Sequence, residues 1–394
     1  MKMILSPHSE SDIAAAVLDA RAGKTPLRIR GGGTRSDIGR PVQAAATLSL
    51  AGLSGITLYE PAEMVLGARA GTPLAEIEKT LADRGQMLPF EPLDHRPLLD
   101  SVGEPTIGAL AAGNLSGPRR ISAGAARDSL IGVRFINGKG EVVKSGGRVM
   151  KNVTGLDLVK LQAGAFGTLG VLTEVIFKLL PRPETSLTLV LHGLEDARAI
   201  AALSAGLTSP FEVSGAAHLP AANGTTARTC LRLEGFDVSL RYRTGELQKL
   251  LKDFGPLTVL PEAESAALWA TIRDAQPVAA PADAAVWRLS LKPTDGPKVV
   301  AEIARTIHIQ RHVYDWGGGL VWLATDAAGD AGAASIRAAV ARAGGHATLV
   351  RGTPALRAAV PAFQPEPAAM ARLSQGIRRS FDPDGLFNPG LMHA

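Results

Sequence analysis

The residues best suited to hold a charged ligand are Gly31, Gly32, Gly33, Thr34, Arg35 and Ser36, which follow directly on the short alternating run Leu27–Arg30. A diphosphate needs several convergent N–H donors. Glycines let the main chain approach it without Cβ obstruction, and Thr34 and Ser36 add hydroxyls. A tight inter-strand turn would use the same residues. The spacing is neither G-x-x-x-x-G-K-[ST] nor a G-x-G-x-x-G opening a periodic helix, so P-loop and dinucleotide readings both lack their structural context.

Two further segments are built in the same way. In Pro105–Arg120, PTIGALAAGNLSGPRR, small residues such as Gly108, Ala109 and Gly117 permit close packing against something flat, and Thr106, Asn114 and Ser116 are polar handles. Arg119 and Arg120 suit phosphate. A close-packed small-residue helix is the alternative. Gly164, Gly167 and Gly170 lead into Val171-Leu172-Thr173-Glu174-Val175, and three glycines before a strand are unfavourable in entropy unless close approach compensates.

These loops need strands and helices to hold them. Leu27–Arg30 and Met64–Gly71 read as strands that end in glycine. Thr72-Pro73 predicts an N-cap and first-turn proline for a helix carrying Leu74, Ile77 and Leu81 and ending by Gly85. LIGVRFI, Asn137-Gly138-Lys139-Gly140 and EVVK predict a β-hairpin. The prolines of Leu180-Pro181-Arg182-Pro183 mark a boundary, so the expected domains are 1–183, 184–350 and a tail over 351–394. Beyond the boundary come the strand SLTLVLH, helices over Asp196–Leu207 and Leu247–Phe254, and a further strand–helix alternation, the pattern of a smaller α+β domain. No internal repeat is visible in the sequence. In the tail Met370, Leu373, Ile377 and Phe381 form one helical stripe before the turn-rich stop Asp382–Gly390.

Composition narrows the class. The chain has 394 residues, 46% apolar and 20% charged, which fits a packed multidomain protein and excludes a disordered polyelectrolyte. A single cysteine, Cys230, rules out an internal disulfide or a cysteine-ligated metal cluster and makes a reducing, cytoplasmic compartment the expectation. The amino terminus MKMILSPHSESD has a three-residue apolar run, short of the ~7–15 residues of an export signal. No apolar run reaches the ~18 residues of a spanning helix, so membrane attachment is expected only through a partner. Net charge is +5 with scattered arginines, which argues weakly for an anionic ligand and against nucleic acid.

The order GGGTRS, Glu91-Pro92, TIGALAAGNLSG, Ala126-Arg127-Asp128, then GLDLVKL with GAFGTLGVLTEV resembles the vanillyl-alcohol-oxidase (PCMH-type) FAD-binding domain over about residues 5–183. GQMLPFEP, GPRR, VMKNVTGLDL, KLLPRP, DWGG, AGGHAT and FNPG with Met392 are similar to the FAD-binding E subunits of bacterial glycolate oxidases, nearly end to end.

The resemblance implies an α+β fold: a PCMH-type two-subdomain FAD domain, a ferredoxin-like second domain facing the isoalloxazine, and a carboxy-terminal return to the first. The positions it carries over are Gly31, Gly32, Gly33, Thr34, Arg35 and Ser36, then Pro92, Thr106, Gly108, Ala109, Asn114 and Gly117, then Arg127, Asp128, Gly170, Val171 and Thr173. Many relatives have a second glycine at Ala109. No histidine stands in the first two loops to attach flavin covalently, so dissociable FAD is implied. The implied partners are a paralogous catalytic FAD subunit and an iron–sulfur subunit, the substrate a small 2-hydroxy acid, and any membrane contact peripheral and through that complex. Related dehydrogenases use an H-x-H metal pair; His308 and His312, four apart in a strand-like stretch, are a poor match, and no catalytic residue is assigned. His346 and Asn388 are candidates for the flavin edge, against a capping or core role for His346 and a latch by Phe387 in place of Asn388. Trp316 is either core or subunit contact.

Overall fold

The computed structural model describes residues 3–147, 155–222 and 224–392, so Val149–Thr154 of the VMKNVTGLDL motif lie outside the described residues. Ser9 opens the helix Glu10–Ala22 with a reciprocal cap: its hydroxyl accepts the Asp12 amide at 3.1 Å, and the Asp12 carboxylate accepts the Ser9 amide at 3.0 Å. Ile13 and Val17, a turn apart and fully buried, enter a core shared by two sheets. One is parallel, in the order Met3–Leu5, Ala46–Ser49, Leu27–Arg30. The other is antiparallel, in the order Ile56–Glu60, Val65–Arg69, Val171–Lys178, Leu130–Ile136, Val142–Gly146.

The predicted hairpin is present. Asn137 Oδ1 accepts the amides of Lys139 and Glu141, which closes the turn. The predicted helix runs Leu74–Ala82, but Pro73 takes the N-cap position in place of Thr72. The Thr72 hydroxyl donates to the Arg69 carbonyl at 2.7 Å and accepts the Gly55 amide at 2.9 Å, tying the preceding turn together. Leu180–Pro181 still pairs with Gln86–Met87 in a two-residue ladder before the next sheet starts at Thr185.

That sheet holds a duplication of topology that the sequence, which has no visible internal repeat, does not show. Its eight strands form two βαββαβ units of identical strand order, each all antiparallel. The first contains Thr185–His192, Gly215–Leu219, Arg228–Gly235 and Leu257–Leu260; the second contains Ala285–Ser290, Ile309–Asp315, Leu320–Thr325 and His346–Arg351. The equivalent second strands meet in the middle, His218 opposite Tyr314. Duplicated topology leaves no sequence period because each unit has its own loop lengths and core residues. The helix expected from Leu247 begins at Asp237, because its first turns bury little beyond Leu240 and Arg243 and show no apolar period. The tail helix, Ala368–Phe381, has no fully buried residue: Leu373 is 62% exposed, and the end of its stripe reaches the body through Phe381, against Phe135.

A charged seam joins the sheet to the first core. Arg232 donates to both oxygens of Glu91 at 2.8 and 2.9 Å, and Glu91 also accepts the Arg119 amide at 2.9 Å, while the Arg119 side chain pairs with Glu234 at 2.7 Å. Burial alone would raise the Glu91 carboxyl. The Arg232 guanidinium, with Arg119 beside it, overrides burial and brings it from 4.5 to about 2. A depressed carboxyl contributes stability that is complete above its unfolded value and lost as pH falls through the folded one, here from about pH 5 to about pH 2. Glu91→Gln is therefore expected to cost about 3–5 kcal/mol at neutral pH, because Arg232 is left buried without its partner. It should also flatten the acid limb of stability over that window, as read from urea midpoints by tryptophan fluorescence.

Candidate functional site

The strand Leu27–Arg30 and its glycine loop form one wall of a solvent-open cleft. The helix Ile107–Gly113 forms the facing wall through Gly108, Ala109, Ala112 and Gly113. Phe166 and Gly167 close one end, together with Asn388 from the tail. The tail reaches the cleft because Leu27–Phe387 forms a parallel bridge: the Leu27 amide donates to the Leu386 carbonyl at 2.8 Å, and the Asn388 amide to the Leu27 carbonyl at 2.9 Å. The side chain of Asn388 accepts the Ile29 amide at 2.8 Å and donates to the Phe166 carbonyl at 2.9 Å. Latch and cleft wall are thus adjacent residues, Leu386 and Phe387 buried in the core and Asn388 on the cleft.

The cleft is electropositive. Arg28, Arg30 and Arg35 line it, and no carboxylate of the described residues does. Arg28 donates to the Ser36 carbonyl at 2.8 Å, which curls the loop back on its own strand. Arg35 donates to His95 Nδ1 and to the Leu93 carbonyl, both at 3.0 Å, while its Nη1 is buried with no partner among the described residues. Burial pushes Arg35 down to about 10, still charged at neutral pH. Burial first, then the Arg35 charge, holds His95 well below its ordinary value. His95 is therefore a neutral acceptor at Nδ1.

Of the residues proposed from sequence, Gly31, Gly33, Thr34, Arg35, Ser36, Gly108, Ala109 and Gly170 line the cleft. Gly32 and Thr106 stand directly behind its wall. A Cβ on Gly32 would lie 1.7 Å from the Glu104 carbonyl oxygen, and one on Gly31 would lie 2.3 Å from Thr106 Oγ1. The Thr106 hydroxyl itself is buried without a partner. The others are placed elsewhere. Asn114 accepts the Arg127 amide at 2.9 Å, Arg127 donates to the Lys160 carbonyl at 3.1 Å, and Asp128 accepts the Ala125 amide at 2.8 Å. Gly117 accepts the Trp316 indole N–H at 3.1 Å, Thr173 donates to Glu10 at 2.6 Å, and Val171 is buried in its strand. Pro92 lines a second cleft beside Glu91 and Arg119. Arg28 and Phe166 are wall residues that sequence reasoning passed over; the alternation of LRIR, with both arginines on one face of the strand, was the available signal for Arg28.

Among the histidines, His312 bonds Asp196 at 2.8 Å and His308 lies 3.4 Å from Asp326, on separate carboxylates. His346 is outside the cleft, opposite Ser290 in the sheet. Trp316 is 8% exposed, in a packed cluster with Ile38 and Phe166 of the cleft wall.

Comparison with known proteins agrees with this geometry. The FAD binding domain family model matches residues 1–146. The chain is 35% identical over 389 residues to glycolate oxidase subunit GlcE of Escherichia coli K12, covering 98% of this chain and 99% of that protein. It is 28% identical over 188 residues to glycolate oxidase subunit GlcD of Bacillus subtilis, covering 48% of this chain and 38% of that one. In fold, 4-ethylphenol oxidase from Gulosibacter chungangensis matches with a TM-score of 0.73 at 13% identity, over 99% of this chain and 88% of the other. Fold and relatives define an FAD-dependent oxidoreductase of the PCMH-like, α+β class. Within that class, the chain belongs to the family of glycolate oxidase subunit GlcE, and its cofactor is FAD.

The cleft suits that cofactor chemically. Among the described residues the amides of Gly31 to Arg35 have no protein acceptor, and the orphaned Thr106 hydroxyl and Arg35 Nη1 lie beside them. These are donors matched to a diphosphate. Thr106→Val tests the hydroxyl. Removing an unsatisfied buried polar atom should leave thermal stability unchanged or slightly raised, whereas FAD binding should become about tenfold weaker, with a higher Kd, if the hydroxyl donates to it. Equal FAD affinity in the variant, by fluorescence titration, would remove Thr106 from the site.

Proposed function

We propose that this chain is the FAD-binding subunit of a multisubunit glycolate oxidase that oxidises the CH–OH of glycolate to glyoxylate. The observation that carries the reading is the arginine-lined, carboxylate-free cleft in a chain that aligns end to end with a glycolate oxidase subunit. Bound FAD supplies hydride acceptance and one-electron release. The chain's own part is to bind and orient it. Arg28, Arg30 and Arg35 offset its negative charge, the loop amides and Thr106 donate to the diphosphate, and the small residues Gly108 and Ala109 let the flat or extended parts lie against the helix. Among the described residues the cleft wall has no histidine, cysteine or tyrosine, the side chains that form covalent flavin links, and the FAD of this reading is dissociable.

Electrons then leave for a partner with an iron–sulfur cluster. Cys230, the sole cysteine, is buried, and burial pushes its thiol up to about 12, so this chain has no thiolate set of its own. No helix among the described residues is long and apolar enough to cross a membrane, consistent with attachment by way of the complex. Under the domain division proposed from sequence, at about residues 183 and 350, the FAD cleft belongs to the first part with Asn388 and Leu391 added from the tail, and the duplicated sheet to the second.

The test is flavin content and its release. The purified chain is expected to take up FAD, show the oxidised-flavin absorbance bands and give up all of the flavin to the supernatant on acid precipitation. Co-expressed with its complex, glycolate should bleach those bands. Absence of FAD uptake overturns the reading, and flavin that stays with the precipitate overturns dissociable binding.

A further inference from the structure

The tail helix Ala368–Phe381 has an apolar face that this chain does not cover. Met370, Leu373 and Ile377, at i, i+3 and i+7, are 52, 62 and 40% exposed, and no residue of the helix is buried. Ser374, Arg378 and Phe381 are half-buried and mark the side that rests on the body. Beside the apolar stripe, and turned further from the body, the small residues Ala369, Gly376 and Ser380 follow one line of the helix at i, i+7 and i+11, all exposed. A helix of 14 residues is marginal by itself in water, and an interior glycine destabilises it by about 1 kcal/mol relative to alanine. A Cβ on Gly376 would meet nothing within 4 Å, so packing within this chain does not require the glycine. A bare backbone position between anchors at i, i+3 and i+7 is what a second helix needs in order to approach closely.

The charge of the helix is one-sided. It has three arginines and no carboxylate. Arg372 and Arg379, a heptad apart and both exposed, run along the edge of this face that is away from the body, and neither has an ion-pair or hydrogen-bond partner among the described residues. The side-chain bonds of the helix are those of Ser374 to Glu366 at 2.9 Å and of Ser380 to the Gly376 carbonyl at 3.0 Å. The arginine edge selects against a second copy of this chain, because a two-fold antiparallel pair of these helices would set each copy's Arg372 and Arg379 along the other's. A lipid surface would gain only three large apolar side chains and no exposed aromatic, whereas aligned small residues suit the ridge of a packed helix.

We propose that this face of Ala368–Phe381 is the docking surface for an apolar helix of another subunit of the oxidase, edged by Asp or Glu where it passes Arg372 and Arg379. The presence of other subunits rests on the glycolate oxidase reading above; the surface rests on the helix itself. Met370, Leu373 and Ile377 are the anchors, Gly376 is the point of closest approach, and the two arginines set the orientation of the incoming helix. Through Asp382 the helix runs directly into the segment that brings Asn388 to the FAD cleft, so the docked subunit is tethered to the same tail that closes the cleft.

Co-expression of the affinity-tagged full chain with the other oxidase subunits, with the co-purified chains identified by mass, tests this. The wild-type chain should bring its subunits with it. Leu373→Asp and Gly376→Leu should each lower their recovery by about tenfold or more, while Gly376→Ala, which stays small, should retain it. Reversing both Arg372 and Arg379 to Glu should weaken the association severalfold, and raised salt should weaken it in the wild type. FAD uptake should be equal in all variants, because the changed side chains lie on the solvent side of the helix. Gly376→Leu raises helix propensity, so it decides the matter if Leu373→Asp fails to fold. Full recovery of the subunits with Gly376→Leu and with every folded Leu373→Asp preparation overturns the surface while leaving the multisubunit reading intact. So does self-association of the isolated chain, or its binding to phosphatidylglycerol vesicles, if the same variants abolish it. A wild-type chain that co-purifies with no other subunit overturns the multisubunit reading and this surface together.

Discussion

Close approach of main chain to main chain is the constraint on which the rest of the structure depends. The loop after Leu27–Arg30 and the segment entering Ile107–Gly113 lie so near each other that a Cβ on Gly32 would overlap the Glu104 carbonyl and one on Gly103 would lie 2.2 Å from the Gly32 carbonyl oxygen. Backbone contact of that kind leaves no room for adjustment, since neither side is a flexible side chain. It fixes the distance between the cleft's two walls. The amides of Gly31 to Arg35 have no acceptor among the described residues, and donors without acceptors are what an anionic ligand needs.

The same economy appears where the sheet meets the first core. Arg232, Glu91, Arg119 and Glu234 bond one another in a buried chain, so the charges of the seam are paired, with Arg119 Nε left without a partner among the described residues. Arg232 also stacks on Trp269 at 4.7 Å, the arrangement repeated at Trp316 with Arg120 and Arg288. The difference between the two is chemical. One arginine has its carboxylate and reads as architecture, whereas the other two have none.

Much of this was legible in the residues, and the reasons for the gaps are physical. Glycine spacing marked all three loops, because few other residues adopt those conformations, but it did not separate glycines that face a ligand from glycines that face another strand. Gly32 and Gly33 are adjacent in sequence, one packed on Glu104 and the other in the wall. Thr106, Asn114 and Thr173 are similar polar residues; Thr173 is bonded to Glu10 and Asn114 to Arg127, while Thr106 has no partner. Those fates depend on residues more than a hundred positions away for Thr173. The duplicated βαββαβ unit was invisible for a related reason: topology repeats while side chains do not.

Asn388 shows what that long-range dependence entails for assembly of the site. Its side chain joins Ile29, where the first loop begins, to Phe166, in the third glycine segment, across sequence separations of 359 and 222 residues. Each bond closes a very long loop, whose entropy must be met before the contact forms. The core of the first domain has its own apolar residues and takes from the tail Leu386, Phe387 and the partly buried Phe381. The cleft, in contrast, lacks its end wall until the chain is complete and the last turn has docked. Folding of the domain and completion of the site are thus separable events. The small, inflexible Asp382–Gly390 stop, with Asp382 accepting the Leu386 and Phe387 amides at 2.9 and 2.8 Å, is the device that sets the tail in place before Asn388 makes its two bonds.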